Sequence, residues 1–74
     1  METINTIILN KYKMLYDRAK CTTYRGGLDR LMTEIECMNG FIEECRENGL
    51  IEDGTYRKCL DLKSMSMAQI RAHY

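Results

Sequence analysis

The chain has 74 residues with 11 basic and 11 acidic side chains. That length fits one domain with a small core, and the charge balance draws the chain neither to nucleic acid nor to an anionic membrane. Its composition is 45% hydrophobic and 30% charged, with no Pro and five Gly, which is globular and favours long uninterrupted helices.

The first helix is expected from about Thr3 to Lys20. At about 100° per residue its apolar side chains, among them Ile4, Ile7, Ile8, Leu9, Tyr12, Met14, Leu15, Tyr16 and Ala19, spread over roughly 220°. One neighbouring helix cannot cover so wide a face. Ile8, Leu9, Tyr12, Tyr16 and the following Tyr24 are therefore the expected apolar contact surface, because Tyr joins an apolar ring to a polar tip and is enriched at interfaces.

The second helix is expected from about Leu28, or from Tyr24 at the earliest, to Asn48. Leu28, Leu31, Ile35, Met38, Ile42 and Cys45 alternate by three and four residues, the seam of a helix packed lengthwise on another. Met32 and Phe41 flank that seam and widen it. Asn39-Gly40 is its weak point, but the seam keeps its phase across the pair, so one continuous helix is expected. Asn48-Gly49 supplies a C-cap.

The third helix is expected from Thr55, as N-cap, to His73. Tyr56, Leu60, Met67, Ile70 and Tyr74 form its stripe, and Leu62 and Met65 fall off it, as edge contacts or an exposed patch. The short joint after the second helix implies an antiparallel hairpin. The expected fold is an all-α three-helix bundle over residues 1–74, a hairpin with the first helix in its groove. A homodimer is the alternative assembly, because so short a chain supplies little core.

The zero net charge hides an uneven layout. Residues 1–25 hold five basic and two acidic groups, net +3; residues 26–53 hold two basic and eight acidic, net −6; residues 54–74 hold four basic and one acidic, net +3. Asp29, Glu36 and Glu43 recur every seven residues with Glu44 and Glu47 beside them. These five form an expected acidic ridge away from the seam. Carboxylates in a row can take the place of phosphates on a basic surface, since Lys and Arg pair with either.

Catalytic chemistry finds little footing. The one histidine, His73, is next to last, and acid–base work at neutral pH usually needs a positioned His or a buried carboxylate. Cys21, Cys37, Cys45 and Cys59 are too widely spaced for a zinc site. They are expected as reduced thiols acting mainly as small hydrophobes, with Cys59 within reach of Cys45 across the hairpin. Arg25-Gly26-Gly27 lacks the remainder of a phosphate-binding loop. No cofactor and no metal are expected.

The start, Met1-Glu2-Thr3-Ile4, lacks a basic leader region, and no run approaches the roughly 18 apolar residues of a membrane span. A cytoplasmic protein is expected, of a cell or of an infected host. The expected function is that of a non-enzymatic regulator or inhibitor docking on a larger protein, one with a basic or nucleic-acid-binding surface, through the apolar face or the acidic ridge. Small chains of this style occur among phage and mobile-element products. A dimeric DNA-binding regulator and a structural subunit of a larger assembly are the alternatives.

Overall fold

Thr3 Oγ1 accepts the Thr6 N–H at 3.3 Å and so caps the first helix, α1 (Ile4–Cys21). Thr22 ends it: its N–H and its hydroxyl both donate to the Arg18 carbonyl, at 2.9 and 2.6 Å. α2 (Arg25–Glu47) and α3 (Asp53–Ala72) follow. The computed structural model describes residues 3–73, and among them there is no strand; Tyr74 lies outside the described residues.

α2 runs unbroken through Asn39-Gly40, as the phase of its seam implies. It begins at Arg25, three residues before Leu28, because Gly26 and Gly27 lie in its first turn. Gly27 is there for room: a Cβ would stand 2.7 Å from the Tyr24 ring and 2.9 Å from the Thr22 methyl. At the other end Gly49 takes φ 69°, the left-handed cap. Its N–H reaches Arg46 O at 3.1 Å, and that of Leu50 reaches Cys45 O at 2.8 Å, which satisfies two terminal carbonyls.

α3 starts before the expected Thr55 cap. Glu52 holds the cap position without a side-chain bond of its own. Its N–H donates instead to Asn5 Oδ1, 47 residues earlier, at 2.9 Å. Asp53 in the first turn suits the positive end of the helix dipole. A cap lent by a distant residue leaves no local signature, so the start is misplaced by the cap chemistry of the segment alone.

Two core layers fix the topology. Ile8 and Tyr12 pack with Ile42, Cys45, Ile51 and Cys59. Leu15 and Ala19 pack with Leu28, Leu31, Ile35 and Ile70. Met38 lies against both layers. The start of α1 thus meets the end of α2 and the start of α3, so α1 and α3 run parallel, packed most extensively on each other, and α2 runs antiparallel beside them. The bundle measures 36 × 22 × 16 Å. In α3 the buried line is Cys59, Ser66 and Ile70, with Tyr56, Leu60 and Met67 only partly covered. The expected stripe is displaced because α3 meets two neighbours: Leu62 packs on the core as an edge contact, and Met65 is exposed. Buried Ser66 returns its hydroxyl to Leu62 O at 2.7 Å.

Gly40 is exposed within α2, and a Cβ there meets open space. Gly40→Ala should raise stability by about 1 kcal/mol. Gly49→Ala should lower it by roughly 1–2 kcal/mol, because the left-handed backbone crowds a Cβ. Urea denaturation followed by circular dichroism checks both signs.

Candidate docking surfaces

The five apolar contact residues expected on the first helix do not form an outer face. Ile8 and Tyr12 are fully buried in the core of their own chain. Leu9 packs against the same core layer and is partly buried. Tyr16 is partly buried and lies under the Lys20 ammonium, 4.8 Å from the ring centre. Tyr24 alone is freely exposed, at 70%, with its ring against Gly27. Width of an apolar face does not reveal its rotation. The bundle takes the middle of the α1 face inward and turns Leu9 toward α3, and the residues left outside are on the opposite flank: Ile7 at 46% and Met14 at 63% exposure.

That flank borders an open groove of about 440 Å³ between α1 and α2, lined by Lys11, Met14, Leu15, Arg18, Thr33, Glu34, Cys37 and Met38. An Arg18–Glu34 ion pair joins the two helices at the groove. The heptad relation of Ile7 and Met14, with Lys11 and Arg18 between and beyond them, is the sequence signal for this strip. It is legible only once α1 is rotated against its neighbours.

The acidic ridge divides. Glu36, Glu44 and Glu47 are exposed, and no ion pair among the described residues holds them. Asp29 is exposed at the start of the same outer face. Glu43 leaves the ridge: it is partly buried against α3 and accepts a short hydrogen bond from the Tyr56 hydroxyl. A heptad repeat on a 3.6-residue helix drifts about 20° per repeat, and by Glu43 the drift has reached the α3 interface. Arg46 completes this junction, its guanidinium 4.4 Å from the Tyr56 ring centre and its Nε 3.9 Å from Asp53 Oδ1. The hydrogen bond to Glu43 holds the Tyr56 phenol protonated above its ordinary range.

Among the described residues two buried side-chain polar atoms lack a partner, Tyr12 Oη and Asn39 Oδ1. Burial, helped by Cys59, Glu43 and Tyr56, raises the Tyr12 phenol far above its ordinary pKa. Cys59 is likewise pushed up by burial. All four cysteines are free thiols; Cys45 and Cys59 are core residues as expected, whereas Cys21 and Cys37 are exposed. Among the described residues no group of three or more His, Cys, Asp or Glu side chains is placed to hold a metal ion, and no helix is long and apolar enough to cross a membrane.

Comparison with family models, with curated proteins and with solved structures gives no match. The reading of function therefore rests on the surfaces themselves.

Tyr12→Phe removes an unsatisfied buried hydroxyl and should stabilise the protein by about 1 kcal/mol near neutral pH. A phenol whose folded pKa lies above its unfolded value of 10.0 adds no ionisation cost to folding below that pH and opposes folding increasingly as pH rises beyond it. The wild type should therefore lose stability in alkali more steeply than Tyr12→Phe. Urea midpoints measured from neutral to alkaline pH check this, and equal slopes would refute it.

Proposed function

We propose that this chain is a non-enzymatic docking protein, a regulator or inhibitor that engages a basic surface on a larger protein through the outer face of α2. One observation carries the reading: Glu36, Glu44 and Glu47 project from the exposed side of a helix whose opposite side is the core seam, and among the described residues no cation forms an ion pair with them. The basic groups of the bundle belong mainly to α1 and α3, where Lys13, Lys20, Arg57 and Lys58 are exposed on their own helices. α2 is therefore an acidic rod on a rigid support, and ordering its side chains on a Lys- or Arg-rich partner requires no refolding of backbone.

The lengthwise antiparallel packing of α2 and α3 supports this reading over the DNA-binding one. A helix-turn-helix reader crosses its two helices at about 90–120° and projects the second into the groove. Here α3 is packed along its length, and Asp61 lies on its exposed side.

The test compares wild type with Glu36→Lys/Glu47→Lys, which leaves Glu43 and its bond to Tyr56 in place. Each is immobilised and exposed to the same native or host lysate. A protein held by the wild type should be released by salt and bind the variant about tenfold or more weakly, with the circular dichroism of the two proteins unchanged. Equal capture by both, or salt-sensitive retention of the wild type on random duplex DNA, refutes the reading.

A further inference from the structure

The groove between α1 and α2 is a second surface, on the flank of α2 that adjoins its outer face at Glu44. Phe41 and Glu44 follow the groove residue Cys37 by four and seven positions and share its row on α2. Ile4 and Ile7 precede the groove residues Lys11 and Met14 by seven and share theirs on α1. The register set by Ile8 with Ile42 and by Leu15 with Ile35 puts Ile7 level with Phe41. Four of the seven large hydrophobics that the described residues expose, Ile4, Ile7, Met14 and Phe41, therefore gather on this one face. A patch of that kind on so small a protein marks a contact surface.

The charges beside the groove say what fits there. The α1 edge carries the cations Lys11 and Arg18, and the α2 edge carries the anions Glu34 and Glu44. A partner of one sign would satisfy one edge and be repelled by the other. A second copy satisfies both, because a two-fold axis along the groove lays α1 of each copy on α2 of the other at the same height. Lys11 then approaches Glu44 across the interface, twice, and the Arg18–Glu34 pair within each copy faces the same pair of the other with its signs reversed, while Met14 comes over Cys37 and Ile7 over Phe41. An axis across the groove would instead set α1 on α1 and bring Lys11 against Lys11. Arg30 is the one cation on the α2 edge; it lies beyond Arg18, toward the Cys21 end.

We infer that the face formed by Ile7, Lys11, Met14, Phe41 and Glu44 is the interface of a symmetric homodimer, with the basic edge of each copy on the acidic edge of the other. The interface is isologous, so it closes at two copies. It leaves Glu36 and Glu47 outward in both, so the dimer presents two acidic faces. The inference shares only Glu44 with the docking reading, and Glu36→Lys/Glu47→Lys leaves that residue in place, so either can fail without the other.

Sedimentation velocity over a wide concentration range tests the assignment on the full chain. The wild type should sediment as a concentration-dependent dimer. Met14→Glu changes a side chain that is 63% exposed, so the fold should tolerate it, and it should raise the dimer dissociation constant by at least about tenfold. Lys11→Glu and Glu44→Lys should each weaken the dimer, and the double exchange Lys11→Glu/Glu44→Lys should restore it. Glu36→Lys/Glu47→Lys should leave it intact. A wild type that stays monomeric at every concentration overturns the inference. So does a dimer indifferent to Met14→Glu and to both single charge reversals, which would assemble through another face.

Discussion

The rotation of α1 about its own axis governs what this molecule shows to its surroundings. Ile8, Tyr12, Leu15 and Ala19 succeed one another by three and four residues and enter two successive core layers, the first two beside Ile42 and Cys59, the last two beside Leu31 and Ile70. Once these four point inward, the remainder of the apolar surface of α1 is divided. Leu9 goes to α3, and Ile7 and Met14 go to the groove beside α2. Rotating the helix by one row would bury Met14 and release Tyr12, and the exposed surface would be a different one. The Arg18–Glu34 pair and the Asn5 cap on Glu52 are consistent with the same rotation and height, one toward α2 and one toward α3.

Polar groups within the bundle mark where packing has prevailed over solvation. Tyr12 supplies the largest fully buried side chain and fills the junction of all three helices, yet its hydroxyl finds no partner there. The burial of an aromatic ring offsets the cost of one stranded hydroxyl, since fully burying a side chain of that size is worth about 1.5–3 kcal/mol against about 1–3 kcal/mol for the lost hydrogen bonds. Nearby, Glu43, Tyr56, Arg46 and Asp53 form a connected set across the α2–α3 interface. This removes Glu43 from the acidic outer face and commits it to holding the hairpin together.

The charge layout acquires meaning from this arrangement. A net charge of zero is the sum of one acidic stretch, residues 26–53, and the two basic stretches on either side of it, and the antiparallel α2 lies along both other helices. Around the α1–α2 groove the signs alternate from edge to edge, and on the far side of α2 one sign prevails. The proposed pairing and the proposed docking draw on neighbouring rows of the same helix and meet at Glu44.

Helix number, the extent of α1, the unbroken run of α2 through Gly40 and the Gly49 cap are written in local chemistry: three- and four-residue spacing, absence of Pro, and a glycine where the backbone turns left-handed. So is the seam of α2, five of whose six members are fully buried and the sixth, Met38, packed against both layers. What the tertiary structure alone decided is which part of a broad apolar face turns inward, that Asn5 caps a helix 47 residues away, and that Glu43 is drawn into an interface. The physical reason is common to all three. Periodicity specifies which residues share a face of one helix, but the phase of that face, and the partner of any polar group upon it, depend on where two other helices lie, and that is settled by packing among residues distant in the chain.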